Sequence, residues 1–369
     1  MKIAIIVPSL HMGGGEKFAV DLSNELSKDP NNHVTLCVIS KISKKMILSS
    51  IINPNINLIS INKEEGFDYK VLFKLKKIIK ENRFDVVHTH LRSLFYSSWS
   101  IFTIKKMNYV HTFHTLVEKE VKSYLYKILL KLFFNHFKVT PIAITPEVLK
   151  GIQRTFGKNH KTMILNGVSP LKKTHKFQAV KKEISSYKKN SETKVFMNIA
   201  RVSEVKNQKL LIESFKHLNK NAILIIIGSL QNEPKYAKES QELAKMSNNI
   251  FILGEKNNIG DYLYCCDALC LSSTFEGLPL VILEAMSIGK ATLSTNVGGI
   301  PDVIINNVNG YLSQGMLREQ YIDILNKSIN NSPINSEEIF SLFKKKYSME
   351  ICKNHYYKLY QTIVNKDYL

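Results

Sequence analysis

Lys2-Ile3-Ala4-Ile5-Ile6-Val7, followed by Pro8 and then by His11-Met12-Gly13-Gly14-Gly15-Glu16, decides how the rest of the chain is read. The first run has apolar residues at both alternating positions, as expected for a strand covered on both faces, the situation of strands in a parallel sheet. It is too short for the apolar region of a signal peptide, and Pro8 and a glycine cluster interrupt the chain directly after it, so a strand is the reading adopted. The glycines then open a stretch of helical periodicity, Glu16–Ser27. Strand, glycine turn and helix predict the first unit of a doubly wound α/β sheet.

The same alternation continues outward. His33–Ile39, Ile56–Ile61, Asp85–His88, Tyr109–Thr112 and Pro141–Thr145 read as strands, with helical spacing over Tyr69–Glu81 and Leu91–Ile104 between them. Residues 169–190 interrupt the rhythm with seven lysines and little apolar pattern, which predicts a linker or an exposed helix. A second series then runs through Lys194–Ala200, Ala222–Ile227, Ile250–Leu253, Ala268–Ser272 and Lys290–Thr295. The expected organisation is a first α/β domain over 1–168, a basic linker over 169–190, a second α/β domain over 191–347 and a C-terminal helix over 348–369. Two successive sheets of this kind predict a cleft between domains, with ligands at the carboxyl ends of the strands.

Composition narrows the function. The chain has 369 residues, 44% apolar and 22% charged, with 16 Gly and 10 Pro, so it is neither collagenous nor disordered. No window approaches the ~18 apolar residues of a membrane span. Five irregularly spaced cysteines suit neither a disulfide framework nor a paired zinc site, and Cys265, Cys266 and Cys270 are read as packing residues; a reducing cytoplasm fits this usage. The formal net charge of +20 is uneven: +13 falls in residues 1–168, +6 in 169–190 and +1 in the remainder. Such a field attracts a bilayer surface, a phosphorylated ligand or nucleic acid. No nucleic-acid motif or aromatic-basic platform accompanies it, so nucleic acid is not an expected partner.

Candidate site residues cluster after predicted strands. Gly14 and Gly15 allow close backbone approach at a helix N-terminus, where an anion would be welcome; an ordinary structural turn is the alternative. Dinucleotide binding is disfavoured, because the third fingerprint glycine is replaced by Phe18 and the strand ending at Ile39 is followed by Ser40 and Lys41. Arg201 and Lys206, at the two ends of a strand-to-helix loop, have the spacing of a diphosphate clamp. In Phe275-Glu276-Gly277-Leu278-Pro279-Leu280-Val281-Ile282-Leu283-Glu284-Ala285-Met286, Pro279 suits a first helical turn. Glu276 and Gly277 then lie in the preceding loop, amides near Leu278 and Leu280 can hold phosphate, and Glu284 can accept from a ribose diol. Asn296-Val297-Gly298-Gly299-Ile300-Pro301-Asp302 is a further glycine turn, and His111-Thr112-Phe113-His114-Thr115 closes a strand of the first domain.

In this order and at these distances the motifs resemble glycosyltransferase family 4, the retaining nucleotide-sugar-dependent enzymes of GT-B architecture, in which two Rossmann-like domains face a cleft; the resemblance implies an acceptor-binding domain over 1–168, a nucleotide-sugar-binding domain over 191–347 and a C-terminal helix over 348–369 that returns to the first. The likeness spans nearly the whole chain and includes Asn166-Gly167-Val168 and the F-x-L-G of Phe251–Gly254; the residue after Val168 is Ser169, where the family usually has Asp. The resemblance implies catalytic roles for His114, Glu276, Arg201 and Lys206. It implies donor contacts from Gly14, Gly15, Arg201, Lys206, Gly254, Gly277, Leu278, Leu280 and Glu284. Arg201 and Lys206 would hold the diphosphate, Glu284 the ribose, Glu276 the transferred sugar, and the backbone around Gly254 the base. The chain contains no D-x-D, so no metal or other cofactor is expected. Retention without an enzymic nucleophile implies front-face attack, with uridine diphosphate (UDP) as the expected leaving group. A nucleotide-sugar epimerase of the same fold is the alternative.

Leu116–Lys138 carries apolar residues at helical spacing, interleaved with Lys119, Lys122, Lys127, Lys131 and Lys138. A basic amphipathic helix at an anionic bilayer and an ordinary core-facing helix both give this pattern. With the charge of the first domain, it motivates the expectation of a peripheral enzyme on the inner face of the cytoplasmic membrane, acting on a glycan or polyprenyl-diphosphate-linked acceptor.

Overall fold

A computed structural model describes residues 1–11, 13–43, 46–218 and 221–365. Met12 of the glycine stretch and residues 366–369 of the expected C-terminal helix lie outside the described residues. The chain divides into two units, Met1–Val168 with Lys346–Leu369, and Ser169–Lys345.

The first unit is built on a six-stranded parallel sheet. Its strands are β1 (Lys2–Val7), β2 (His33–Ser40), β3 (Asn57–Lys63), β4 (Val86–His90), β5 (Asn108–Phe113) and β6 (Val139–Ala143), in the order β3-β2-β1-β4-β5-β6. Ile3 to Val7 are fully buried, as two-sided coverage requires. The strand order reverses between β1 and β4, which opens a crevice at their carboxyl ends.

The second unit repeats the plan with β7 (Lys194–Ile199), β8 (Ala222–Ile227), β9 (Ile250–Ile252), β10 (Ala268–Leu271), β11 (Ala291–Thr295) and β12 (Gly310–Ser313), ordered β12-β11-β10-β7-β8-β9. Here the order reverses between β7 and β10. Strand β12 has no counterpart in the sequence reading, being four residues long and lacking an apolar run. The fold class is therefore α/β with two doubly wound parallel sheets.

Three expectations are corrected. Leu91–Ile104 forms two short helices, Ser93–Tyr96 and Ser98–Thr103, because hydroxyls compete for the backbone: Ser93 Oγ donates to the carbonyls of Ile6 and His90 at 2.8 and 2.7 Å, and Ser97 Oγ to that of Ser93 at 3.0 Å. Leu116–Lys138 is likewise interrupted, into Val117–Glu120 and Tyr124–His136, the second helix starting at its N-cap Ser123. The basic stretch 169–190 is neither a bare linker nor a fully exposed helix. Its helix Phe177–Tyr187 buries Val180 and Ile184, and Asp261 accepts from the Thr174 backbone N–H at 2.8 Å and hydroxyl at 2.5 Å.

Helix Met349–Asn365 belongs with the first sheet. Its Tyr356 ring lies 6.0 Å from Phe18, and Tyr356 and Tyr360 are fully buried. The turn at Asn166-Gly167-Val168 explains this return of the chain. A Cβ on Gly167 would sit 2.6 Å from the Cβ of Cys352 and 2.7 Å from the Ser348 carbonyl, so only glycine lets the segments touch.

Candidate functional site

In the second unit the candidate residues converge on the crevice between β7 and β10. After β7 the chain forms a loop closed by the short turn Glu204–Lys206, and Asn207 takes a left-handed conformation with φ 50°. Buried Gln208 holds this loop: it accepts from the Ser203 N–H at 3.2 Å and donates to the Arg201 carbonyl at 3.0 Å. Sequence reasoning missed Gln208, which acts through backbone atoms and has no motif. The loop after β10 is pinned to the same turn, with Ser272 Oγ donating to the Lys206 carbonyl at 3.0 Å and the Thr274 N–H to that of Val205 at 2.8 Å.

These links bring Lys206 and Glu276 together across 70 residues of sequence. Lys206 Nζ donates to Glu276 Oε1 at 2.5 Å, and Ser273 Oγ donates to the same oxygen at 2.6 Å. The two side chains are 19% and 9% exposed. A desolvated pair of this kind strengthens interaction with any third charged group beside it. Arg201 is exposed, and its guanidinium has no ion-pair or hydrogen-bond partner among the described residues. Glu284 lies at 3% exposure in helix Leu280–Met286. Pro279 caps that helix one residue before its first turn, and Leu278 and Leu280 are buried.

The turn over residues 297–302 supplies the third wall. Gly298 has φ 56°, and a Cβ there would lie 1.7 Å from the Glu276 carbonyl oxygen; the Gly299 N–H donates to the Gly277 carbonyl at 2.9 Å. The glycine pair thus sets the position of the Glu276–Gly277 backbone. Gly298→Ala is expected to lower unfolding stability by roughly 1 to 3 kcal/mol from backbone strain alone. Thermal and urea unfolding of the variant beside the unaltered chain check this. On the far side of β7, a Cβ on Gly228 would meet the Ala200 carbonyl at 1.9 Å, while Gly254 (φ 69°) accepts from the Gly228 N–H at 2.9 Å.

In the first unit, Gly14 and Gly15 begin helix Gly14–Leu26 immediately after Gly13. A side chain on Gly14 would meet nothing within 4 Å, whereas one on Gly15 would press on Leu91 at 2.9 Å. His114 follows β5 and joins a buried network that the sequence reading did not find. His90 Nδ1 and His114 Nε2 are 2.9 Å apart, the His88 and His90 rings are 4.0 Å apart, and His88 bridges the Tyr360 hydroxyl at 2.6 Å and Thr112 Oγ1 at 2.8 Å. Burial, then the neighbouring rings, holds His88 and His90 well below the usual imidazole range; burial and then His111 bring His114 to about 3. All three are neutral near pH 7, each able to donate and accept one hydrogen bond. The only sequence signal of His88 and His90 was that pair of histidines ending β4, whereas His114 stood out in the segment closing β5.

Two family descriptions match the chain: Glycosyltransferase Family 4 over residues 12–170 and Glycosyl transferases group 1 over residues 180–345. An uncharacterized glycosyltransferase of Methanocaldococcus jannaschii is 30% identical over 247 residues, spanning 62% of this chain and 60% of that protein. The UDP-Gal:alpha-D-GlcNAc-diphosphoundecaprenol alpha-1,3-galactosyltransferase of Escherichia coli is 26% identical over 283 residues, covering 73% and 72%. The crystal structure of Anabaena HepE in complex with UDP is similar with a TM-score of 0.83 and 18% identity, covering 98% of this chain and 100% of that one. Matching descriptions over both halves, on two sheets of this order, lead to one conclusion: the chain belongs to glycosyltransferase family 4 and is a glycosyltransferase of glycan assembly with GT-B architecture.

Proposed function

We propose that this enzyme transfers a sugar, with retention of configuration, from a UDP-sugar to a lipid-linked glycan acceptor in surface polysaccharide synthesis. The observation that carries the reading is the placement of Arg201 and of the Lys206–Glu276 pair at the switch point of the second sheet. As the sugar–phosphate bond breaks, charge develops on the leaving diphosphate, and cations already fixed at that place stabilise it without reorganising. Glu276 orients the transferred sugar, Glu284 accepts from the ribose, Gly254 and its neighbours receive the base, and Gly277 with the amides near Leu278 and Leu280 adds donors to the phosphates. Gly14 and Gly15 allow close approach from the first unit, and His114, neutral, offers a hydrogen bond to the donor sugar. The reaction is assigned no metal or cofactor; the leaving phosphate takes the acceptor proton.

The UDP bound in HepE and the acceptor named for the Escherichia coli relative support donor and acceptor classes. A thermal-shift series of nucleotide sugars tests the donor, because a ligand of the native state stabilises in proportion to RT ln(1 + [L]/Kd). Stabilisation by UDP-sugars and not by other nucleotide sugars is expected; a guanosine preference would refute the uridine assignment. Release of a rearranged free sugar without acceptor would instead identify an epimerase.

We further place the enzyme on the inner, anionic surface of the cytoplasmic membrane. Helix Tyr124–His136 turns Leu130, Phe133 and Phe134 inward, yet Tyr124, Leu125, Ile128 and Leu132 are 75%, 76%, 50% and 38% exposed, flanked by exposed Lys122, Lys127 and Lys131. An outward apolar stripe between lysines suits shallow insertion among acidic headgroups. No helix among the described residues is long and apolar enough to cross a membrane. Leu125→Gln with Ile128→Gln should reduce flotation with phosphatidylglycerol vesicles at least tenfold while leaving the melting temperature unchanged; undiminished flotation would refute the assignment.

A further inference from the structure

The side chain of His90, the last residue of β4, is fully buried and has a single hydrogen-bond partner among the described residues. Its Nδ1 lies 2.9 Å from His114 Nε2, and its Nε2 is buried without a partner. Aromatic packing fixes the ring. His88 lies 4.0 Å from it and Phe18 6.0 Å, and His88 is itself anchored at both nitrogens by the Tyr360 hydroxyl and Thr112 Oγ1. A polar side chain taken out of water recovers its lost hydration through hydrogen bonds, and for His90 that return comes from His114 alone. His114 is placed differently. It is half-buried, edge-on to Phe18 at 5.4 Å, and its Nδ1 has no partner among the described residues.

Both rings are neutral near pH 7, so one proton lies between the two facing nitrogens, and its position decides what His114 offers on its other side. Were His114 Nε2 the donor, His90 would carry its own proton on the buried Nε2, an N–H with no acceptor. A buried N–H left unpaired is a rarer defect in folded proteins than an unused lone pair. With the proton on His90 Nδ1, His114 Nε2 accepts, and the proton of His114 is confined to Nδ1.

We infer that His90 is a positioning residue for the transfer reaction: by donating from Nδ1 it fixes the ring and the tautomer of His114, so that His114 presents an Nδ1–H, and not a lone pair, to an oxygen of the donor sugar. The inference rests on the proposed contact of His114 with that sugar and deepens it, because it assigns the atom that donates and the side chain that holds it. A donor set in advance loses nothing to ring rotation or tautomer exchange when the sugar arrives.

The first test needs no ligand and no variant of His90. In the full chain labelled with nitrogen-15 histidine, ring nitrogen shifts tell a protonated nitrogen from a bare one, and the His114 signals are assigned by their loss in His114→Asn. A single tautomer with the proton on Nδ1 is expected; a proton on Nε2, or a mixture of tautomers, would overturn the inference. The second test reads function. His90→Leu removes the donor, and His90→Asn keeps an N–H at about the place of Nδ1. UDP, UDP-glucose, UDP-galactose and UDP-N-acetylglucosamine are titrated calorimetrically into each protein. His90→Leu should weaken the tightest-binding UDP-sugar about tenfold, the worth of one ordinary hydrogen bond, and leave UDP unchanged. His90→Asn should restore most of the loss and the Nδ1–H signature. Equal loss for UDP and UDP-sugar, unchanged sugar affinity in His90→Leu, or a His90→Asn protein as weak as His90→Leu would reduce His90 to a packing residue. Failure of UDP to bind the unaltered chain would instead count against the donor reading, and the ring spectrum would still decide what His90 does to His114.

Discussion

Lys206→Ala is expected to lower kcat about 10²- to 10³-fold, the usual effect of deleting one preorganised donor to developing charge. The same substitution should also destabilise the second unit by roughly 3 kcal/mol, since it leaves the buried Glu276 carboxylate without its cation. Pairing separates the two effects. Lys206→Met combined with Glu276→Gln removes both charges at little change in volume, so unfolding stability should return towards the unaltered value while turnover stays low. Arg201→Ala, at an exposed position without a protein partner among the described residues, should lose turnover with no loss of stability. Urea titration and single-turnover kinetics on the four proteins check this. Normal turnover in both single variants would remove the diphosphate clamp from the mechanism.

The second large effect is on acid stability. Unfolded histidine titrates near 6.5, whereas His114 is held to about 3 and His88 and His90 are also lowered. Below pH 6.5 the unfolded chain therefore binds protons that the folded chain refuses. Stability is complete above about pH 7 and falls as pH drops from 6.5 towards 3, by up to about 1.4 kcal/mol per pH unit for each such histidine. At pH 4.5, His114 alone accounts for a loss of roughly 3 kcal/mol relative to pH 7.5. Carboxylates titrate mainly below this range, so urea unfolding between pH 6.5 and 4.5 isolates the imidazoles. His114→Asn should flatten the slope by one proton's worth. Equal stability at pH 7.5 and 4.5 would show that the cluster is solvated.

What could be read in the sequence was whatever local periodicity encodes. β1 was legible because burial on both faces makes Ile3 to Val7 continuously apolar, and the same holds for β8, while β7 is apolar over Val195 to Met197. Helix breaks at Ser93, Ser97 and Ser123 were not, since the apolar spacing runs on through residues whose hydroxyls divert the backbone. The candidate site was legible as residue types and not as geometry. Lys206 and Glu276 each stood out, but no spacing rule joins positions 70 residues apart, and the sequence reading gave them separate tasks. His88 and His90 escaped notice because a strand ending in histidines is unremarkable until Thr112, Tyr356 and Tyr360 from distant segments surround them. Residues 297–302 read as a turn; only the 1.7 Å approach at Gly298 shows why that turn is glycine.

The return of helix Met349–Asn365 to the sheet at the other end of the chain has a consequence for synthesis. The six strands of the first sheet are complete once Ala143 leaves the ribosome, yet the tyrosines that close over His88 and Phe18 are made only after the whole of the second unit. Throughout translation of the intervening unit the nascent protein carries a buried-type polar face open to water, a state in which partly folded chains aggregate or recruit chaperones. A stop codon at position 349 would accordingly damage the part of the molecule made first, while the part made just before it folds undisturbed.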